Sequence, residues 1–181
     1  MPGTRILVVY YSRGGNTRVV AAEIARALGG ADIEEIRDTV DRHGVRGYLR
    51  AGRDAIRHAT TVLAPAGRDV SGYDLVVIGT PVWVGNVSTP TRTWLVAHAG
   101  DLRRVALFLT HRGAWAEHVF TQMNLLAGVQ PEAVLAIRER ELGTRRFRTR
   151  IAAFAIQLSA RLVAAAQDVA FAAVSESLVH H

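Results

Sequence analysis

Five short apolar runs alternate with segments whose apolar residues recur at helical spacing, and this alternation limits the fold more than any other feature of the sequence. The runs at 75–79 and 105–110 are nearly continuous in apolar residues. Such runs are typical of parallel strands that are buried on both faces. We therefore predict an α/β protein, a three-layer αβα sandwich built on a parallel sheet. It is expected to form a single domain over 1–181, with an extended C-terminal helical segment from about 167.

The pattern also sets approximate bounds for each element. Strands are expected at 6–11, 32–36, 75–79, 105–110 and 133–138, and helices at 17–28, 45–59, 90–98, 115–126 and from 147 onward. The turn-rich segment 64–72 is interpreted as a connector within the domain, because no low-complexity linker or repeat accompanies it.

Composition removes several classes of chemistry. The chain has no cysteine, which excludes thiol redox chemistry, disulfides and Cys-ligated metal. All 22 basic residues are arginine, which excludes a Walker lysine and a Schiff-base lysine. The net charge of +6 favours anionic ligands, but no nucleic-acid motif and no metal-binding His spacing is present, so neither partner is expected. Without a signal-peptide pattern or a charge-free spanning segment, we expect a cytoplasmic protein with no membrane span.

The segment Ser12–Thr17, SRGGNT, lies between the first predicted strand and the first predicted helix. The first N–H groups of a helix lack internal partners, and the helix dipole is positive there. Glycines at 14 and 15 let backbone amides approach an anion, while Ser12, Asn16 and Thr17 add side-chain donors. This pattern predicts a phosphate-binding turn, although the same residue types also serve in an ordinary capped βα turn.

Two further polar loops follow predicted strands. They are TPVWVGN at 80–86 and THRGAW at 110–115. Ligands of open parallel sheets bind beyond the carboxyl ends of the strands, at the point where the strand order reverses. We therefore expect both loops to converge with SRGGNT on one ligand site.

These motifs together resemble the flavodoxin-like family, which binds flavin mononucleotide (FMN). SRGGNT is similar to the family's phosphate loop, and the segment 74–86, DLVVIGTPVWVGN, is similar to its second flavin loop and to that of flavodoxin-like NAD(P)H:quinone reductases. The resemblance implies a five-stranded sheet of order 2-1-3-4-5 and bound FMN, and it assigns no catalytic side chain. The implied FMN-binding residues are Ser12, Arg13, Gly14, Gly15, Asn16, Thr17, Thr80, Pro81, Val82, Trp83, Gly85, Thr110, His111, Arg112 and Gly113.

Two functional classes stay open under this resemblance. One is an enzyme that passes two electrons from NAD(P)H to a quinone-like or other small acceptor, and the other is a one-electron carrier between proteins. Positive charge at Arg13, His111 and Arg112 would stabilise an anionic reduced flavin, which favours the enzyme. Trp83 is expected to stack on the isoalloxazine ring, or alternatively to serve as a core or interface aromatic.

Two segments carry surface predictions. Helix 45–59 has an arginine stripe at Arg46, Arg50, Arg53 and Arg57. This stripe suits either a solvated face or a docking surface for an anionic substrate, a nicotinamide dinucleotide phosphate or an acidic partner. The adjacent stripe of Val45, Leu49, Gly52 and Ile56 is expected to face the sheet. The apolar tail 169–179 predicts a homodimer contact, or packing on its own domain.

Overall fold

A computed structural model describes residues 4–40, 44–65 and 67–179, except for the side chains at 45, 48 and 169–179. Its centre is a parallel sheet in the order β2-β1-β3-β5-β6. The strands are β1 (Ile6–Tyr10), β2 (Asp32–Glu35), β3 (Leu75–Trp83), β5 (Val105–His111) and β6 (Pro131–Arg138). The two-residue β4 (Asn86–Val87) pairs antiparallel with the end of β3. The five parallel strands therefore have the predicted order 2-1-3-4-5, which confirms that expectation.

Five helices complete the three-layer sandwich. They are α1 (Asn16–Ala27), α2 (Gly44–Ile56), α3 (Thr89–His98), α4 (Ala116–Ala127) and α5 (Arg145–Val179). Helices α1 and α5 cover one face of the sheet, and α3 and α4 cover the other, with α2 beside α3. Most bounds lie within three residues of the predicted ones. The exception is β3, which continues four residues past the predicted end at 79 because its last residues pair with β4.

The packing of β3 against β5 leaves no room for a side chain at Gly79. Gly79 and Phe108 are register partners on the two strands. A Cβ atom built on Gly79 would lie 2.0 Å from Cζ of the fully buried Phe108 ring. Position 79 therefore requires glycine, because the Phe108 ring occupies the space that any side chain there would need.

The buried residues among the described side chains of helix α2 are small. Gly47, Ala51 and Ala55 are buried, whereas Leu49 and Ile56 are 66 % and 57 % exposed. The prediction that Leu49 and Ile56 face the sheet is therefore wrong, and Val45 of that stripe lies outside the described side chains. Small side chains at positions 47, 51 and 55 let the helix lie close, which turns the larger apolar side chains outward.

Helix α5 is 35 residues long. Its buried side chains Phe147, Ile151, Phe154, Leu158 and Leu162 pack on the sheet. By length and composition alone, the stretch Arg145–Asp168 is also apolar enough to cross a membrane, a test that the core helix of a soluble protein passes as well. The expected dimer contact at 169–179 involves side chains outside the described ones and stays a prediction.

Candidate functional site

The loops that follow β1, β3 and β5 line one cleft of about 460 Å³ at the carboxyl end of the sheet. This volume lies within the range typical of small-molecule sites. The lining residues are Ser12, Arg13, Gly14, Asn16, Thr17, Pro81, Val82, Trp83, Val84, Gly85, Thr110, His111, Arg112, Gly113, Ala114, Trp115 and Glu139. Parallel strands end at the same edge, which explains why loops far apart in sequence meet there.

At one end of the cleft, the first loop leads into the N-terminus of α1. Gly15 holds the N-cap position with φ +92°, a conformation that favours glycine. The Gly15 N–H donates to the Ser12 hydroxyl at 3.1 Å, which folds the loop over itself. A Cβ atom on Gly14 would meet nothing within 4 Å, so the space in front of this backbone is open. Ser12, Gly14, Asn16 and Thr17 of this loop line the cleft beside the helix N-terminus, where an anion site is typically found.

The first and third loops are joined beneath the cleft by two buried threonines. The Thr17 and Thr110 hydroxyls lie 2.9 Å apart and form a hydrogen bond. Both residues are 1 % exposed. Since each hydroxyl can donate one bond and accept others, this pair fixes the helix N-terminus against the end of β5 and keeps some capacity for a ligand oxygen.

The arginine in the first turn of α1 is turned away from the cleft. The Arg18 guanidinium donates two hydrogen bonds to the Glu35 carboxylate, at 2.7 and 3.0 Å. These bonds raise the pKa of Arg18. Beside it, burial raises the pKa of Tyr10. An anion bound beside the N-terminus of α1 would therefore be held by backbone N–H groups and hydroxyls, and Arg13 is the arginine of this loop that lines the cleft.

The wall of the cleft is the β3–β4 hairpin, whose two-residue turn is Val84–Gly85. Both turn residues have positive φ, +48° and +75°, as a type I′ turn demands. This conformation is costly for a β-branched residue such as Val84. The turn is braced from α4, because Gln122 donates to the Asn86 side chain at 2.7 Å and accepts from the Val87 N–H at 3.1 Å.

Two indole side chains border the cleft. Trp83 is half-buried and meets Tyr11 edge-to-face, with ring centroids 5.4 Å apart. Trp115 is 64 % exposed and lies over Gly85, where a built Cβ would come within 3.3 Å of the indole. Trp115 also has positive φ, +80°, at the N-cap of α4. Two strained residues, Val84 and Trp115, therefore flank the mouth of the cleft, and such strain clusters at functional sites.

The third loop carries the charged groups. His111 is buried, and its Nδ1–H donates to the Gly113 carbonyl, which fixes the ring within the loop. Arg112 pairs with Glu139 at 2.6 Å, and its side chain is 86 % exposed. The positive charge of Arg112 is therefore partly offset by the Glu139 carboxylate.

Thirteen of the fifteen predicted site residues line the cleft, and Gly15 and Thr80 do not. Gly15 holds the N-cap position of α1, and its N–H donates to the Ser12 hydroxyl. Thr80 is fully buried and begins a chain of hydroxyl bonds to Ser88, then Thr91, and then the Gly79 carbonyl. Its hydroxyl therefore ties β3 to α3 and does not face the cleft.

Four lining residues were not among those predicted: Val84, Ala114, Trp115 and Glu139. Three of them stand within the two loops already singled out in the sequence. Glu139 follows β6, and the rule that ligands bind beyond the carboxyl ends of strands would have found it.

A larger groove, of about 610 Å³, lies at the edge strand β2 and beside the buried Trp94. It lies along a strand edge and away from any helix N-terminus, so we place the candidate site in the smaller cleft. Within residues 4–40, 44–65 and 67–179, no group of three or more His, Asp or Glu side chains is arranged to hold a metal ion.

Comparison with solved structures shows that the chain has a flavodoxin-like fold. A flavoprotein in complex with FMN from Lactobacillus acidophilus is 25 % identical, with a TM-score of 0.65 over 74 % of this chain and 93 % of that one. Oxidised flavodoxin 2 from Bacillus cereus is 17 % identical, with a TM-score of 0.56 over 87 % and 99 % of the two chains.

Among curated proteins, an NAD(P)H dehydrogenase (quinone) from Gluconacetobacter diazotrophicus is 31 % identical over 90 residues. That match covers 48 % of this chain and 42 % of the relative's own length. No family model matches the sequence.

Proposed function

We propose that this flavodoxin-like chain binds FMN in the cleft and passes two electrons from NAD(P)H to a quinone-like or other small acceptor. The observation that carries the proposal is the convergence of three loops on one cleft, with an open helix N-terminus at one end and two indoles bordering it. The 25 % identical flavoprotein complex and the quinone-dehydrogenase relative support the same assignment.

The residues of the cleft fit the chemical groups of FMN. Backbone amides around Gly14 and Asn16, with the Ser12 and Thr17 hydroxyls, would receive the phosphate. Trp83 and Trp115 would offer faces for a flat ring system. The flavin, when bound, supplies the hydride chemistry, and the protein supplies binding, orientation and charge.

The charge of the cleft favours an enzyme over a one-electron carrier. Two guanidinium groups, those of Arg13 and Arg112, line the cleft, against the single carboxylate of Glu139. A positive surrounding stabilises a negatively charged reduced cofactor and so brings the two electron transfers closer in potential.

The purified protein provides the test. We expect a flavin absorption spectrum, release of FMN on denaturation, and oxidation of NADH or NADPH that accelerates when a water-soluble benzoquinone is added. During photoreduction, the oxidised and fully reduced spectra should interconvert through one set of isosbestic points. A protein that binds FMN but oxidises neither nicotinamide, and is reduced in two separate steps, would be a carrier. A protein that binds no flavin would refute the proposal entirely.

A further inference from the structure

A group of exposed apolar side chains lies beside the mouth of the cleft. Leu49 and Ile56 of α2 and Val84 of the hairpin turn are 66 %, 57 % and 58 % exposed. Together with Gly52 they line one shallow depression, which we call the α2 surface. A Cβ atom on Gly52 would come within 3.1 Å of Val84 Cγ2, so the turn packs directly on the helix. Because Val84 lines both the depression and the cleft, the depression lies directly beside the cleft.

Arginines surround this apolar centre. Arg46, Arg50 and Arg53 are exposed on α2, and Arg57 is exposed in the turn directly after it. Arg50 and Arg53 share the carboxylate of Asp54, whereas Arg46 and Arg57 form no ion pair with a described residue. The helix face therefore carries four positive charges against one negative charge.

An apolar centre with an arginine rim is the pattern of helices that lie in a membrane interface. Their aliphatic side chains enter the boundary between headgroups and acyl chains, and their arginines contact anionic headgroups. Arginine suits this position because its stem can lie along apolar surface while its guanidinium reaches outward. Over Gly85, the neighbour of Val84 in the hairpin turn, the exposed Trp115 adds an indole, a group that favours the same interface.

We propose that the α2 surface docks the protein on an anionic lipid bilayer, with the mouth of the cleft held at the membrane. This inference rests on the proposed function only for the acceptor, which would be a quinone dissolved in the lipid. A second copy of the chain is a poor occupant, because a symmetric contact would oppose two arginine clusters. An acidic protein is the competing occupant, and the experiment below separates it from lipid.

The experiment is co-sedimentation of the full chain with vesicles. One set contains equal amounts of phosphatidylglycerol and phosphatidylcholine, and the other contains phosphatidylcholine alone. We expect binding to the anionic vesicles at least about 10-fold stronger than to the neutral ones, with a decline as salt increases. The double variant Arg46→Gln/Arg57→Gln should bind anionic vesicles about 30-fold more weakly, since each arginine near the surface contributes about fivefold.

The apolar part has its own variant and control. Leu49→Ser/Ile56→Ser should lose at least about 10-fold in vesicle binding, because both side chains would otherwise be buried in lipid. Leu125→Ser/Ile156→Ser is the matched control, since these side chains are 76 % and 70 % exposed on α4 and α5. It should bind vesicles like the wild type.

The outcomes are distinct. Equal binding to both vesicle types, or equal losses in the test and control variants, would overturn the proposal. Absence of binding to either vesicle type would also overturn the proposal, and an acidic protein would then be the favoured occupant of the α2 surface. Sedimentation does not depend on flavin or on turnover, so a failure here leaves the FMN assignment standing, and failure of FMN binding leaves the vesicle result interpretable.

Discussion

Gly14→Glu is the sharpest test of the phosphate site. A Cβ atom at Gly14 would meet nothing within 4 Å, and its φ does not require glycine, so the fold should accept the change. The new carboxylate would stand where the proposed phosphate approaches the loop. At a separation of about 5 Å, two unit charges repel by roughly 0.8 kcal/mol in water and about 3 kcal/mol at an effective dielectric of 20.

Position 14 is exposed, which places the effect toward the lower part of that range. The phosphate carries a charge of about −1.5 to −2, so we expect a loss of about 1.5–3 kcal/mol in FMN binding, or roughly 10- to 150-fold in Kd. The assay is titration of the flavin-free protein with FMN, followed by flavin fluorescence. Riboflavin, which lacks the phosphate, should bind the variant and the wild type with nearly equal affinity.

Two controls make this result decisive. Gly100→Glu introduces the same side chain at another glycine whose Cβ would meet nothing within 4 Å, and it should leave FMN binding unchanged. Higher salt should narrow the difference between Gly14→Glu and wild type, because it screens an exposed charge pair. If the stably folded Gly14→Glu protein binds FMN as well as wild type does, or loses FMN and riboflavin equally, the phosphate does not lie at this loop.

Three further outcomes follow from the structure. Gly79→Ala should destabilise the fold by about 1–3 kcal/mol in urea unfolding, because its methyl group would collide with the Phe108 ring, whereas Gly100→Ala should have little effect. Trp83→Ala should restore part of the quenched fluorescence of bound FMN. The control Trp94→Phe alters a buried indole away from the cleft and should leave the fluorescence quenched. Equal emission from both variants would mean that Trp83 does not contact the flavin ring. Burial raises the pKa of Tyr10 above the value of about 10 that it has in the unfolded chain. The contribution of the neutral phenol to the free energy of unfolding is therefore complete below about pH 10 and is lost as the pH rises above it. Measured by urea unfolding, the loss of stability between about pH 8 and pH 10.5 should be smaller in Tyr10→Phe than in the wild type.

The residues alone were sufficient for the parallel sheet and for the meeting of three loops, and the resemblance to flavodoxin-like proteins supplied the strand order. Apolar runs such as 75–79 mark buried strands, and strand ends in a parallel sheet share one edge. Thr80 was misplaced because β3 continues through it to pair with β4. Thr80, which the sequence places at the start of a loop, is therefore a strand residue, and its hydroxyl belongs to the buried chain of hydrogen bonds with Ser88 and Thr91.

The orientation of α2 could not be read from its large apolar residues. Among its described side chains, the buried ones are Gly47, Ala51 and Ala55, which pack closely but carry little hydrophobic signal in a sequence. The conformations of Val84 and Trp115 were equally hidden, since neither residue favours positive φ. Local preference fails at these positions because surrounding contacts override it, as is common at sites of function.

The strained turn at Val84 has a consequence for mutational accessibility. Every valine codon becomes a glycine codon by one base change, so the residue that best fits this φ is a single mutational step away. Val84→Gly should relieve about 1–2 kcal/mol of backbone strain, less the extra chain entropy of glycine. It would also delete an apolar group shared by the cleft and the α2 surface. A laboratory selection for thermal stability alone should therefore recover Val84→Gly repeatedly, whereas a selection for turnover should retain valine.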